Sequence, residues 1–301
     1  MVGLLKWPKT KFTFFTLVFI SSTIMPFMPL RSNWFFKEPP YGVFKQIETY
    51  SEIKNIFDAC DENTLITFDV DSTLIMSHDV MANFEFPSIW FAIRALLKYP
   101  ELIWNKNSIE PILSVVFEQV ERFVFDPDIV HIIQQIQKQG CKTVALTMMW
   151  NGAYGNIKNM PEWRASMLEK FNINFDGQFS DTEFKSLPKN RGLYPCLHRG
   201  ILCTNHIDKG KVLGAFLDHN KFKPTLIISF DDQKKQLNSI ASECAKRKIA
   251  FSGYQMVGWK KYCNEWNTNR ALLQLDFLMN DKVWLTDSEA DAVLSGEIKS
   301  A

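Results

Sequence analysis

The residues best equipped for chemistry lie in one short string, Asp69-Val70-Asp71-Ser72-Thr73. Two carboxylates two residues apart, just past a buried strand, lie close together in space. Left unpaired they repel, and ionising both beside an apolar sheet is costly. A divalent cation resolves the conflict. Magnesium takes oxygen ligands and keeps one or two carboxylates together with substrate phosphate. A metal-bound carboxylate facing a phosphoryl group can attack it and form an aspartyl phosphate. The neighbouring carboxyl can protonate the leaving oxygen and later activate water. The plainer alternative is a solvated strand-end turn, since Asp and Ser favour turns. The preceding strand and the companion residues decide between the two.

The elements that must position these acids are legible around them. Leu65-Ile66-Thr67-Phe68 is β-branched and apolar, and reads as a short buried strand running into Asp69. A short helix precedes it, over Glu52 to Asp58. Between about 82 and 125 the pattern is helical. There Ile89, Ile93, Leu96 and Leu97 share one face, and Ile112, Val115, Val116, Val120 and Phe123 another. This predicts a two-helix insert, with Pro100 ending or kinking the first helix. Asp126-Pro127-Asp128 starts the next helix, with Ile129, Ile132, Ile133 and Ile136 on its face and Gly140 as its stop.

A strand from Lys142 to Met148 follows, then a helix from about Pro161 to Phe171 and a turn-rich stretch from 173 to 206. A helix over Lys209 to His219 leads to the buried strand Thr225 to Phe230, which ends at Asp231-Asp232. A helix over Lys234 to Lys248 and a strand at Ile249 to Phe251 close the series. This order predicts an α/β fold with a doubly wound parallel sheet. Such sheets place their sites beyond the C-terminal ends of the strands, where Asp69, Asp71, Thr147 and Asp231 all fall.

With 301 residues, 46% of them hydrophobic, the chain is long enough for one substantial core, or one core with a smaller insert. Its 34 basic and 33 acidic residues give no cause to expect nucleic acid as a partner. Lys6, Lys9 and Lys11 precede an uncharged apolar run from Phe12 to Leu30, and Arg31 closes it. That is the layout of an export signal, and the run is nearly long enough to span a bilayer. Pro26 and Pro29 suit a signal better than a stable anchor, but no clean Ala-x-Ala site follows. Residues 1–31 are thus expected to be a signal peptide or an uncleaved membrane anchor, with a buried helix as the remaining alternative. The rest of the chain is then exported (periplasmic or secreted) or held at the membrane.

Six cysteines form no CxxC pair, which argues against a zinc site. In an exported chain Cys196 and Cys203 are close enough in sequence to bridge a hairpin. Small buried thiols are the simpler reading for most of the six.

Four segments taken in order resemble the haloacid dehalogenase-like (HAD) phosphatases. Asp69, Asp71 and Thr73 stand as the first motif of that superfamily. Val144-Ala145-Leu146-Thr147 stands as the second, Asp208-Lys209-Gly210-Lys211 as the third and Ile227-Ile228-Ser229-Phe230-Asp231-Asp232 as the fourth. The resemblance covers about 60–260. It implies that Asp69 is the nucleophile and a magnesium ligand. Asp71 would be the general acid and base, with its backbone carbonyl on the metal. Thr147 would hold a phosphoryl oxygen, and Lys209 would neutralise charge on nucleophile and phosphate. Asp231 would contact the metal, with Asp232 supporting it or binding through water.

More narrowly, the layout resembles a bacterial family labelled DUF2608. The helical insert, the turn-rich stretch, the Asp-Asp motif, the export signal and Phe251-Ser252-Gly253-Tyr254 all agree with it. One departure is Met148-Met149-Trp150, where a small or basic segment is expected.

The resulting expectation is a magnesium-dependent phosphomonoester hydrolase acting on a small phosphorylated substrate. Its HAD-like core would span 32–75 and 126–301, with a helical cap over 76–125 that gates the site. A phosphotransferase would use the same residues; a dehalogenase would not need the acids at Asp71 and Asp231. An exported, non-catalytic interaction protein of the same fold is the alternative from another class. Either Lys209 or Lys211 could be the site lysine, and capping of the next helix competes for Asp231 and Asp232. His198, His206, Trp150 and Tyr154 could touch substrate, although such histidines are more often surface or hairpin residues. Trp259, Trp266 and Trp284 read as core or interface.

Overall fold

The computed structural model describes residues 42–83, 89–100 and 106–298. The expected signal or anchor over 1–31 lies outside them. In chain order the elements are β1 (Val43–Ile47), α1 (Lys54–Asp58), β2 (Thr64–Phe68), β3 (Ile75–Met76), α2 (Ile89–Lys98), α3 (Lys106–Gln119), β4 (Phe123–Val124) and α4 (Asp128–Lys138). Next come β5 (Lys142–Thr147), α5 (Met160–Glu169), β6 (Thr182–Glu183), β7 (Cys196–His198), β8 (Ile201–Cys203) and α6 (Lys209–His219). The last are β9 (Leu226–Asp231), α7 (Lys234–Arg247), β10 (Ala250–Met256), α8 (Thr268–Asn280) and α9 (Asp287–Ser295). They divide into two compact units. One holds the described parts of Phe36–His78 and Glu121–Cys263, the other those of Asp79–Val120 and Asn264–Ala301.

The first unit is an α/β structure around a mainly parallel sheet, ordered β1-β10-β9-β2-β5-β8-β7-β6. Neighbours are parallel from β1 through β8. The strands β2, β5 and β9 are nearly continuous buried runs, as strands covered on both faces must be. β2 and β9 are adjacent, with Thr67 opposite Ser229 and their hydroxyls 2.7 Å apart. That shared register brings the ends of the two strands level, and the Asp69 N–H donates to the Phe230 carbonyl at 2.8 Å.

The sheet departs from the expected parallel arrangement at one edge, in the turn-rich stretch, where β8–β7 and β7–β6 are antiparallel. The reason is local. Arg199 and Gly200 both have positive φ, at 48° and 73°, the backbone of a two-residue hairpin turn. A parallel return would need a long crossover. Only glycine fits at Gly200, because a Cβ there would lie 2.1 Å from the Phe175 carbonyl oxygen.

The second unit is helical. Its core joins Phe91, Ala95 and Tyr99 of the α2 region and Val115 and Val116 of α3 to Leu275 and Leu278 of α8. Two readings of the insert change here. The buried stripe of α2 is Phe91, Ala95 and Tyr99, whereas Ile93 and Leu97 are 41% and 79% exposed. Both stripes have helical spacing, and packing against α8, far away in sequence, selects between them. Phe123 is not on a helix but in β4, opposite Met76 of β3. Residues from Asn264 onward, assigned to the core by the sequence pattern, instead share a unit with the insert.

Candidate functional site

Asp69 lies one residue beyond β2, and Asp231 ends the neighbouring β9 with Asp232 just after it. Carboxylate oxygens of Asp69, Asp231 and Asp232 lie within 4.8 Å of one another. Lys209, the first residue of α6 and 2% exposed, reaches between two of them. Its Nζ donates to Asp69 Oδ1 and to Asp231 Oδ2, each at 2.6 Å. The next residue, Gly210, lets α6 pack tightly on α7, since a Cβ there would lie 2.2 Å from the Ser239 carbonyl oxygen. Lys211 is exposed and only its backbone N–H takes part, donating to Asp208 Oδ1 at 3.3 Å. The choice between the two lysines thus falls on Lys209.

The floor beneath the acids is apolar. Phe68 and Phe230 stack with ring centroids 5.1 Å apart, and Tyr254 stacks on Phe230 at 5.3 Å. Removing charge from water over such a floor is expensive. Burial pushes the Asp69 carboxyl up to about 7, with Lys209 opposing and Asp231 reinforcing the shift. Burial, then Asp231 and Asp69, hold Asp232 well above the usual carboxylate range. Lys209 is held above the ordinary lysine range, because Asp231 and Asp69 outweigh the burial that opposes its charge. Three carboxylates thus share one ammonium.

Helix capping does not account for Asp231 and Asp232. The N-cap of α7 is Gln233, which makes no side-chain cap bond. Asp231 Oδ1 accepts the N–H of this N-cap residue at 2.9 Å, ahead of the first helical turn, while its other oxygen accepts from Lys209.

Asp71 is not part of the carboxylate group. Its side chain forms a two-pronged pair with Arg164 of α5, Nη1 to Oδ1 and Nη2 to Oδ2, both at 2.8 Å. The Arg164 side chain is 4% exposed and lies 5.0 Å from the Trp163 ring centroid. Its Nε is buried and has no hydrogen-bond partner among the described residues. Sequence reasoning missed Arg164. It lies in the middle of a helix 93 residues from its partner, and no local spacing links the two. Ser72, with φ at 59°, turns the chain directly after Asp71. Thr73, the last residue of the string, is fully buried, and its backbone carbonyl accepts the Tyr50 hydroxyl at 2.9 Å.

Thr147 is the last residue of β5 and 3% exposed; its hydroxyl makes no hydrogen bond among the described residues. The loops beside it are clamped by Asn205. That side chain accepts the Asn151 N–H at 3.1 Å and donates to the Asn190 and Leu193 carbonyls at 2.8 Å. His206 packs on Trp150 with centroids 3.9 Å apart, and Arg191 lies over both Trp150 and Tyr154. His198 sits elsewhere, between Glu162 and Asp181 at 2.7 Å from each. An open cleft of about 660 Å³ along β6 and α6 includes none of the candidate residues.

A mainly parallel α/β sheet with a carboxylate–lysine cluster at its strand ends defines the class of protein. The chain belongs to the family described as "Protein of unknown function (DUF2608)", whose model matches residues 46–291. It is 24% identical over 262 residues to an uncharacterized protein of Rickettsia prowazekii (strain Madrid E), covering 84% of this chain and 93% of that one. An uncharacterized protein of Rickettsia bellii (strain RML369-C) is 24% identical over 58% of this chain and 62% of its own length. A Chlamydia pneumoniae protein named "Putative outer membrane protein" is 28% identical over 226 residues, 68% of this chain and 75% of its own. No solved structure matches the chain. Among the described residues, no helix is long and apolar enough to cross a membrane.

Proposed function

We propose that this chain is a magnesium-dependent phosphomonoester hydrolase of the haloacid dehalogenase-like kind, working through an aspartyl phosphate on Asp69. The observation that carries the reading is the cluster of Asp69, Asp231, Asp232 and Lys209, three carboxylates against one cation over an aromatic floor. Ionising all three would leave more negative charge than Lys209 offsets, and a bound cation would relieve it. An all-oxygen donor set fits magnesium, with Asp69, Asp231, Asp232 and the Asp71 backbone carbonyl as its holders. When bound, the ion supplies charge neutralisation and alignment of the phosphoryl group.

The residues supply the rest. Lys209 holds Asp69 Oδ1, which leaves Oδ2 to attack phosphorus. The ester P–O bond breaks, and the leaving oxygen takes a proton from Asp71. Water then attacks the aspartyl phosphate and gives its proton to Asp71, and phosphate departs with Asp69 restored. The Thr147 hydroxyl would donate to a phosphoryl oxygen, and Lys209 would offset its charge. Arg164 fixes Asp71 between steps, and one arm of the pair must let go for Asp71 to donate. Export, or attachment through residues 1–31, belongs to the same proposal. It draws support from the basic-then-apolar layout and from the name of the Chlamydia pneumoniae relative.

The test is hydrolysis of para-nitrophenyl phosphate by the chain from Ser32 onward, with magnesium and with chelator, beside Asp69→Asn. Magnesium-dependent turnover is expected, falling by about 10³-fold or more in a folded Asp69→Asn protein. Full activity in that variant would overturn the mechanism.

A further inference from the structure

Two of the six thiols occupy a position that the phosphatase reading does not use. Cys196 of β7 and Cys203 of β8 are direct partners across an antiparallel ladder. Opposed residues of such a pair have Cα atoms about 4.5 or 5.5 Å apart and side chains on one face. Both spacings fall inside the window of about 4.4–6.8 Å that a disulfide requires. The hairpin that sets this register is well fixed. Its turn has two residues of positive φ, and a side chain at Gly200 is excluded by Phe175. Both thiols are buried, at 6% and 0% exposure, so neither is placed to react with small reagents at the surface. Cys60 and Cys141 are also neighbours, but they are not partners in any ladder and no register fixes their backbone spacing.

We infer that Cys196 and Cys203 are a disulfide-forming site, bridged when the chain folds in the presence of a disulfide-exchanging partner. One cysteine thiolate attacks a sulfur of the partner's disulfide, forming a mixed disulfide and releasing one partner thiol. The second cysteine thiolate attacks the protein sulfur of that mixed disulfide and releases the other. Two protein thiols become one S–S bond, and the partner's disulfide becomes two thiols, so protons and electrons balance. Exchange belongs to the folding stage, because burial and the neighbouring Cys196 thiol hold Cys203 well above the ordinary thiol range once folded.

The bridge has a structural task. Cys203 is also in register with Thr147 of β5. The two residues after it carry the contacts that hold the site loops: Thr204 N–H to the Thr147 carbonyl at 3.0 Å, and Asn205 N–H to the Met149 carbonyl at 3.0 Å. A bond at Cys203 staples β8 at the point where it supports Thr147. The inference does not depend on the phosphatase reading.

The test folds the full chain from denaturant in a mixture of oxidised and reduced glutathione, or in dithiothreitol alone. The samples are then unfolded in denaturant with iodoacetamide, so that every free thiol is blocked, and digested with trypsin. Cleavage after Arg191, Arg199 and Lys209 separates the two cysteines. The oxidised sample should yield Gly192–Arg199 joined to Gly200–Lys209, two hydrogen masses below their sum and split by reductant. Its melting midpoint should exceed that of the reduced sample by about 5 °C. Alkylated Cys196 and Cys203 in the folded, oxidised sample would overturn the inference, as would a bridge confined to Cys60 and Cys141. An unchanged midpoint in a bridged sample would overturn the stapling role. The readout uses the unaltered chain, so no variant that fails to fold can obscure it.

Discussion

Each unit buries a cluster of carboxylates, and the two clusters are completed in different ways. In the helical unit, Asp79 accepts the Trp284 indole N–H and the Asp287 backbone N–H, both at 2.8 Å. Asp287 in turn accepts from Gln274 and Asn264, both at 3.0 Å, and pairs with Arg270 at 3.2 Å. Neutral donors and a guanidinium surround these oxygens, as structural acids require. In the α/β unit, Asp69, Asp231 and Asp232 crowd within 4.8 Å with Lys209 as their cation, and two of the three carboxyls are pushed up by burial. One cluster is closed by the fold. The other has a single lysine against three carboxyl groups, and under the proposed function magnesium would supply the remaining positive charge.

That contrast can be broken most forcefully at Lys209. Lys209→Met should lower magnesium-dependent turnover about 10²- to 10³-fold, since it removes a preorganised charge beside nucleophile and phosphate. It should also cost about 3–5 kcal/mol of stability in chelator, because two buried carboxylates lose their partner. Magnesium should restore part of that loss, measured by urea unfolding with and without the ion. If magnesium restores none of it, the acids are not a cation site.

Arg270→Met is the matching change in the helical unit. A destabilisation of about 3–5 kcal/mol is expected, since Asp287 loses a buried partner. Here the loss should be equal in magnesium and in chelator, and turnover of the folded fraction should stay within about twofold. A magnesium-dependent rescue at this position would erase the distinction between the clusters.

The finest test is pH. Asp69, at about 7, holds its proton in the folded state over a range where the unfolded chain, with a carboxyl near ~4, has lost it. The folded state binds more protons there, so stability of the metal-free protein should fall as pH rises from about 4 to about 7. Magnesium competes with that proton. Its affinity should rise with pH, up to about tenfold per unit below about 7, and level off above. Melting midpoints across this range, in chelator and in magnesium, would show the two trends diverge. Parallel curves would remove Asp69 from the metal set.

How much of this was legible beforehand follows from where each signal resides. The strands leading into Asp69, Thr147 and Asp231 announce themselves by composition, because strands buried on both faces must be apolar throughout. The same is true of α4, whose four isoleucines fall on its buried face as their spacing predicts. The insert was harder. Two apolar stripes on α2 compete, and only α8, more than 150 residues later, selects Phe91, Ala95 and Tyr99. The C-terminal helices α8 and α9 left no chemical motif to follow. Arg164 was invisible because a helical arginine looks solvated until its partner is known.

The sequence by itself determined the parts that depend on neighbours along the chain: acids at strand ends, lysine at a helix start, and the positions of most elements. Local sterics and the alternation of apolar and polar residues suffice for those. The tertiary structure decided the pairings. It placed β9 beside β2 so that Asp231 meets Asp69, chose Lys209 over Lys211, tied Asp71 to Arg164, and set Cys196 opposite Cys203. Each of these depends on strand order, register or a helix's approach across the fold, which follow from how the whole core packs rather than from any local spacing.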